Sequence, residues 1–148
     1  MNVLENSDIM RILVCGSRRV DITVEDISNV FKVLSTLLDE FSIHEIISGG
    51  AIGPDRVAIE WAKQNSCGFN VYDASWAVYG RSAGMIRNKE MVEKCDICVG
   101  FWDGKSRGTE FTLDCAVKMN RKTYVVDCSN GKVGDVWVYP KGGYKTKW

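Results

Sequence analysis

A glycine-rich segment carries the residues best suited to hold a ligand. The sequence SGGAIGPDR spans residues 48–56 and directly follows an apolar run. Its glycines permit positive φ angles and let a ligand approach the backbone closely. Pro54 suits the first turn of a helix, where free N–H groups favour an anion such as phosphate. The segment therefore predicts a strand, a tight turn and an anion-binding helix start, with an ordinary strand-to-helix loop as the alternative.

Strand and helix patterns alternate along the chain and indicate which elements hold this turn. Apolar runs at residues 11–15, 45–48, 69–72, 97–102 and 122–126 predict buried strands. An apolar stripe from Val24 to Phe41 predicts the first helix, and Thr23 with Asp26 resembles its capping box. Further helices are predicted over residues 55–64, 84–94 and 109–120. The alternation indicates an α/β fold of three layers, with a mostly parallel sheet of about five strands.

One domain is expected from a chain of 148 residues. We expect residues 1–10 to form a leader, residues 11–127 the domain and residues 128–148 a short C-terminal extension. Residues 136–139 are compatible with a short edge strand. Residues 141–148 are basic, glycine-containing and aromatic, and we interpret them as a frayed end in preference to a subunit contact.

Composition excludes some classes of function. Lys and Arg together number 19, as do Asp and Glu, so the formal net charge is zero and gives no global attraction to nucleic acid or an anionic membrane. No apolar run approaches the roughly 20 residues that a membrane span needs. We expect a cytoplasmic protein without a membrane partner.

The six cysteines are expected to be reduced and mainly structural. Cys95 and Cys98 have CxxC spacing, but no second such pair exists and His44 is the only histidine. We therefore predict no metal site. No cofactor is predicted either.

The four loops at one edge of the predicted sheet share a composition suited to phosphate. They contain residues 16–19, residues 49–56, the surroundings of Trp76, and residues 103–109, and they are rich in Gly, Arg, Ser and Thr. Ligands bind at this edge in open parallel sheets. Arginine adds bidentate contacts to phosphate, and Trp76 or Trp102 offers a stacking surface, with a place in the core as the alternative. GxxxxGK[ST] and GxGxxG are both absent, so neither a Walker NTPase nor a standard NAD fold is supported.

Four ordered motifs resemble the YspA-like branch of the SLOG superfamily, which unites Smf/DprA and LOG proteins. Residues 48–55 resemble its SGGA-x-G-x-D turn. The other motifs are Gly16-Ser17-Arg18 after the first strand, Trp76 with Gly80 and Ala83-Gly84 leading into Arg87-Asn88 and Met91, and Gly108-Thr109 at the fourth helix. The resemblance covers about residues 11–126. It implies a Rossmann-like fold that binds nucleotides or nucleotide-derived ligands, and it makes a homodimer plausible.

Both the loops and the resemblance contribute candidates for ligand contact. The set is Gly16, Ser17, Arg18, Ser48, Gly49, Gly50, Ala51, Gly53, Asp55, Arg56, Trp76, Arg87, Asn88, Gly108, Thr109 and Glu110.

The resemblance leaves open whether the protein is an enzyme, because this chain differs from LOG relatives at the position of their catalytic glutamate. LOG relatives cleave the N-glycosidic bond of nucleoside 5′-monophosphates and carry a GGxGTxxE pattern with a catalytic Glu. Thr112 occupies that position here, and Glu110 is two residues earlier, which turns its side chain by about 200° on a helix. Arg87 matches the LOG arginine. Arg87 and Glu110 are therefore the catalytic candidates, with Asp55 and Asp103 as other acids; Glu110 alternatively accepts a ribose hydroxyl or favours the helix start.

Three hypotheses about function follow. The first is binding, for sensing, carrying or sequestering, of a nucleotide-derived small molecule whose phosphate lies on Gly49, Gly50 and Gly53, with charge from Arg18, Arg56 and Arg87 and a hydroxyl donor from Thr109. The second is an N-ribohydrolase acting on a nucleoside monophosphate. The third is single-stranded nucleic acid binding, as in Smf/DprA relatives, which the zero net charge disfavours.

Overall fold

A six-stranded sheet organises the structure. The computed structural model describes residues 10–38 and 41–140. The strands are β1 (Met10–Gly16), β2 (Ile43–Ser48), β3 (Gly68–Val71), β4 (Ile97–Trp102), β5 (Lys122–Asp127) and β6 (Val136–Val138). They lie in the order β3-β2-β1-β4-β5-β6. All neighbours are parallel except β6, which runs antiparallel to β5.

Helices cover both faces of this sheet. They are α1 (Val24–Leu37), α2 (Pro54–Gln64), α3 (Trp76–Tyr79), α4 (Ala83–Lys94) and α5 (Arg107–Lys118), and a 3₁₀ turn at Gly80–Ser82 joins α3 to α4. Ile27 and Phe31 of α1 pack with Ala58 of α2 in the core on one face. Met91 of α4 and Leu113 of α5 belong to the core on the other. The predicted three-layer, Rossmann-like α/β/α architecture is confirmed.

The first helix is capped as its sequence predicts. Thr23 Oγ1 accepts a hydrogen bond from Asp26 N at 3.2 Å, and Asp26 Oδ2 accepts one from Thr23 N at 2.9 Å. Two otherwise free donors are thereby satisfied, which stabilises a helix by about 1 kcal/mol. Phe41, the last residue of the predicted stripe, lies beyond the end of α1 and packs its ring 6.5 Å from that of Phe31.

The end of the sheet differs from the prediction of about five strands. β6 adds a sixth, antiparallel strand beyond the predicted domain boundary at residue 127. Tyr139 follows it, is buried, and donates its hydroxyl hydrogen to Asp114 of α5. Residues 128–140 therefore pack on the domain. The predicted leader, apart from Met10 in β1, and the basic segment at residues 141–148 lie outside the described residues.

Another difference concerns residues 73–82, for which the sequence predicts a long loop. This stretch contains α3 and the 3₁₀ turn. Tyr79 N donates to Ser75 O at 3.0 Å, so one helical turn forms even though no residue of α3 is buried.

The strand order creates a crevice between two loops. β2 pairs with one edge of β1, and β4 pairs with the other. The chain therefore leaves β1 toward one side of the sheet and leaves β4 toward the other. Ligands bind at such a switch point in open α/β sheets. None of the helices within residues 10–38 and 41–140 is both long and apolar enough to cross a membrane.

Candidate functional site

A cavity of about 410 Å³ opens at the switch point. Four segments form its walls: the loop after β1, the turn before α2, the inner face of α4, and the β4–α5 loop with the first turn of α5. We call it the switch-point cavity. Its volume falls within the range of about 300–1,000 Å³ that is usual for small-molecule sites.

The loop after β1 is held against the end of β4. A Cβ atom on Gly16 would lie 2.6 Å from Pro54 Cγ and 2.8 Å from Phe101 O, so only glycine fits there. Ser17 N donates to Phe101 O at 3.0 Å, and Ser17 Oγ accepts from Asp103 N at 3.3 Å. These contacts join the two loops at the mouth of the crevice.

The β4–α5 loop is ordered by a carboxylate. Asp103 Oδ1 accepts hydrogen bonds from Lys105 N and Ser106 N, each at 2.9 Å. Partial burial opposes ionisation, but these bonds together with Ser17 lower the pKa of Asp103. Ser106 then caps α5, because its Oγ accepts from Thr109 N at 3.4 Å. The loop therefore presents the start of α5 to the cavity in a fixed position.

Two pairs of adjacent backbone donors remain available beside the cavity. Arg18 N and Arg19 N, in the first loop, have no hydrogen-bond partner among the described residues. The same holds for Arg107 N and Gly108 N in the first turn of α5, since the backbone N–H groups that Ser106 accepts from are those of Thr109 and Glu110. Free N–H groups of this kind, with the helix dipole behind one pair, bind anions.

A buried carboxylate lies on the β2 side of β1, across from the β4–α5 loop. Asp55, in the first turn of α2, is 6% exposed and lines the cavity. Burial raises its pKa to about 6, even though Arg87 and the backbone amides of Ala51, Gly49 and Gly16 favour the charged form. A carboxyl group with this pKa exchanges its proton near neutral pH.

Arg87 is fixed beside Asp55 by the backbone beneath it. Its Nη1 donates to Gly49 O at 3.2 Å and to Tyr72 O at 3.1 Å, and its Nε donates to Asn88 Oδ1 at 2.8 Å. The guanidinium therefore bridges the ends of β2 and β3 while its side chain lines the cavity. Such anchoring preorganises a charge for a ligand.

The glycines of the turn, which the sequence predicts as a phosphate cradle, lie beside the cavity and outside its lining. Gly50 and Gly53 have φ angles of 74° and 100°, which other residues rarely adopt. Arg56 N donates back to Ala51 O at 3.1 Å, so a donor at the start of α2 is used within the turn. Gly49, Gly50 and Gly53 do not line the cavity. They shape the turn and make room for Arg87 and the β1 loop.

The structure divides the predicted residues into two groups. Those that line the cavity are Gly16, Ser17, Arg18, Ala51, Asp55, Arg87, Asn88, Gly108 and Thr109. Those that do not are Ser48, Gly49, Gly50, Gly53, Arg56, Trp76 and Glu110.

The structure shows where three of the predicted residues lie instead of in the cavity wall. Trp76 begins α3, is 61% exposed and lies near Gly84. Arg56 Nη2 reaches back to Gly50 O at 3.4 Å. Burial chiefly raises the pKa of Tyr139, and the charges of Asp114 and Glu110 add to this effect. Glu110 therefore lies on the Tyr139 side of α5, because the two helical steps between positions 110 and 112 turn its side chain away from the cavity. Thr112 lines the cavity instead and donates to Gly108 O at 3.0 Å.

Several lining residues were absent from the predicted set. They are Cys15, Arg19, Met91, Asp103, Lys105, Ser106 and Thr112. Arg19, Asp103, Lys105 and Ser106 belong to the two loops that the sequence places at this edge. The other three could have been found by position: Cys15 precedes Gly16 on β1, and Met91 and Thr112 follow Arg87 and Gly108 by one helical turn.

The cysteines are free thiols. Cys95 and Cys98, which form the CxxC pattern, are both buried, and burial raises the pKa of Cys95 to about 12. Across the part of the chain that the structure describes, no group of three or more His, Cys, Asp or Glu side chains is placed to hold a metal ion.

The fold is Rossmann-like, with a cavity at the switch point of its sheet, and comparisons with known proteins agree with this fold. The model of the YspA, cpYpsA-related SLOG family matches residues 10–79. The Gene 61 protein of Mycobacterium phage D29 is 35% identical in an alignment covering 73% of this chain and 89% of the phage protein. The chain belongs to the YspA, cpYpsA-related SLOG family.

Solved structures share the fold at low identity. DNA processing protein A (DprA) from Streptococcus pneumoniae has a TM-score of 0.57 and 20% identity over 82% of this chain, which spans about half, 52%, of that protein. DprA from Helicobacter pylori, described with its single-stranded DNA binding mode, has a TM-score of 0.54 and 17% identity over 82% of this chain and 70% of its own.

Proposed function

We propose that the protein binds a nucleotide or nucleotide-derived, phosphate-bearing small molecule in the switch-point cavity. The observation that carries this proposal is the pair of donor sets on either side of the crevice, Arg18 N with Arg19 N and Arg107 N with Gly108 N. Backbone N–H groups at a loop and a helix start are the usual means of holding phosphate in α/β proteins. A ligand spanning the crevice would use both sets.

The charges around the cavity favour the same class of ligand. Arg18, Arg19, Arg87 and Lys105 line it, against the carboxyl groups of Asp55 and Asp103. The excess is positive although the whole chain has no net charge. A local field of this kind concentrates anions in a cleft. Sensing, carrying or sequestering all require this binding step.

Two measurements test the proposal. Protein purified without added nucleotide is denatured, and the released small molecules are identified by mass spectrometry. The released compound, and a panel of nucleoside mono-, di- and triphosphates, are then titrated by calorimetry. We expect at least one phosphate-bearing nucleoside compound to bind with one site per chain. The proposal is wrong if neither the co-purified material nor any member of the panel binds.

A second candidate function is N-glycosidic bond cleavage, and the observation that favours it is Asp55. A carboxyl group with a pKa of about 6, buried beside Arg87 and lining the cavity, has the properties of an acid or base catalyst. It would take the role that the sequence assigns to Glu110, which lies outside the cavity. Incubation with nucleoside 5′-monophosphates should then release free base, and the Asp55→Asn variant should not. Binding without base release would exclude this function.

Single-stranded nucleic acid binding is supported by a different surface. Trp76 and Tyr79 are 61% and 50% exposed on α3, and exposed aromatic rings stack on bases. The Helicobacter pylori DprA, which shares the fold, is described by its binding of single-stranded DNA. A fluorescent dT20 oligonucleotide tests this possibility by anisotropy. Binding should weaken in Trp76→Ala and in high salt, and absence of binding at low salt would rule it out.

A further inference from the structure

The two sides of the switch-point cavity differ in hydrogen-bonding character. On the β4 side, Gly108 N and the Lys105 side chain are donors. On the β2 side, the buried carboxyl group of Asp55 offers two acceptor oxygens when ionised. A ligand that fills the cavity therefore meets donors on the β4 side, where the Asp103 carboxylate is bonded within its own loop, and meets an acceptor beside Arg87 on the β2 side.

A phosphate does not fit against Asp55. Both groups are anionic acceptors, so they repel each other and form no hydrogen bond while ionised. The part of the ligand that reaches Asp55 must carry donors. Arg87 beside Asp55 also disfavours a divalent cation at this position.

The donors in a nucleotide are sugar hydroxyls and N–H groups of the base. No aromatic side chain lines the cavity among the residues that the structure describes, and its apolar lining includes Cys15 and Met91. Bases are usually held by stacking on aromatic rings or on arginine planes. Among the described lining residues, arginines are the only groups of this kind, and the absence of an aromatic ring favours the sugar over the base beside Asp55.

Asn88 completes the arrangement. Its Oδ1 accepts from Arg87 Nε at 2.8 Å, which fixes the amide and leaves Nδ2 without a partner in the described part of the chain. A vicinal diol both donates and accepts. The Asp55 carboxylate and the Asn88 amide together offer the complementary groups.

We infer that Asp55 accepts hydrogen bonds from the 2′- and 3′-hydroxyl groups of the ligand and makes the site selective for ribose over deoxyribose. This inference rests on the proposed function and adds the sugar class to it. A ligand without the 2′-hydroxyl loses a hydrogen bond to a charged acceptor, which is stronger than a hydrogen bond between neutral groups. DNA and its monomers would therefore be poor ligands for this cavity.

Calorimetry with matched pairs tests the inference. The probes are the four common ribonucleoside 5′-monophosphates (AMP, GMP, CMP and UMP), their 2′-deoxy counterparts, and 3′-deoxyadenosine 5′-monophosphate. Ribonucleotides should bind at least about tenfold more tightly than the deoxy forms, because a hydrogen bond to a charged group is lost. In Asp55→Asn, the ratio of ribonucleotide affinity to deoxyribonucleotide affinity should shrink by at least about threefold, because a neutral amide has one weaker acceptor. The control variant Arg56→Ala should keep the wild-type ratio.

The outcomes distinguish a failure of ribose selectivity from a failure of nucleotide binding. Equal binding of ribose and deoxyribose forms to the wild type would overturn the selectivity and leave nucleotide binding intact. An unchanged ratio in a folded Asp55→Asn variant would place the selectivity elsewhere and also overturn the inference. If no probe binds, the proposed function itself fails for monophosphates, and the inference falls with it. If the variant does not fold, the wild-type ratio still tests the selectivity for ribose.

Discussion

Gly49 lies directly beneath the guanidinium group of Arg87. A Cβ atom at position 49 would be 2.7 Å from Arg87 Nη1 and 2.9 Å from Cζ, well inside contact distance. The same atom would lie 3.1 Å from Asp55 Oδ2. The turn that follows β2 thus needs a glycine in order to seat the Arg87 side chain beside the buried carboxylate.

Replacing Gly49 with alanine should displace Arg87. We expect Gly49→Ala to lower the free energy of unfolding by about 1–3 kcal/mol, as overpacking usually does, and to weaken ligand binding. Gly108→Ala is the matched control for stability, because a Cβ there meets nothing within 4 Å and alanine is the better helix residue. Urea denaturation of both variants checks this. Equal stability of the two would show that Arg87 moves at no cost.

Arg87→Met should remove both the anchor and the charge beside Asp55. The carbonyl groups of Gly49 and Tyr72 each lose a donor, and hydrogen bonds from a charged group are worth about 1.5–3 kcal/mol. The pKa of Asp55 should rise further, since Arg87 lowers it in the wild type. NMR titration of the Asp55 carboxyl carbon measures that change. An unchanged pKa would mean that the two groups do not interact.

Asp55 should make stability depend on pH. Its pKa is about 6 in the folded protein, against 3.8 for an unperturbed aspartate, and Arg87 is the charged group that faces it. The folded state therefore holds a proton that the unfolded chain releases, so this stabilisation is full below about pH 4 and is lost as the pH rises through 6. The loss amounts to about 3 kcal/mol.

Comparison with Asp55→Asn isolates this effect. The difference in free energy of unfolding between wild type and variant should move in favour of the variant by about 2 kcal/mol from pH 4 to pH 7. Urea denaturation at several pH values provides both curves, and the other carboxyl groups cancel in the difference. Parallel curves would contradict the raised pKa.

Arg18→Ala and Arg19→Ala should each weaken nucleotide binding by about tenfold, which is the loss expected for one charged contact to phosphate. Both residues line the cavity. Arg56→Ala is the matched control, because Arg56 is exposed, lies outside the cavity and makes one 3.4 Å contact to Gly50 O. Calorimetry at two salt concentrations measures all three. An effect of Arg56→Ala as large as that of Arg18→Ala would indicate nonspecific attraction.

Local sequence patterns predict the elements and the edge of the sheet at which the site lies. Apolar runs predict the buried strands, and Thr23 with Asp26 predicts where a helix begins. The loops at one edge of the sheet are rich in Gly, Arg, Ser and Thr. These features depend on residues that are close in sequence. They were therefore sufficient to indicate the three-layer fold and most segments of the cavity wall.

The roles of individual residues depend on contacts between distant segments. The glycines after Ser48 indicated a phosphate cradle, whereas Gly49 makes room for Arg87, which is 38 residues away in the chain. Thr112 lines the cavity in place of the predicted Glu110, because Ser106 fixes where α5 begins and therefore which side of the helix faces the cavity. The sixth strand similarly depends on pairing with β5. None of these relationships is visible in a local pattern.

Backbone amide NMR during titration with a nucleotide tests the central claim most directly. The nucleotide is the compound that co-purifies with the protein or, failing that, a ribonucleoside 5′-monophosphate. The resonances of Arg18, Arg19, Arg107 and Gly108 should show the largest shifts and saturate together, because their N–H groups have no partner in the described structure. Arg56 N, already bonded to Ala51 O and Gly53 O, should shift little. Saturable shifts confined to α3, with these four amides unmoved, would contradict phosphate binding in the switch-point cavity.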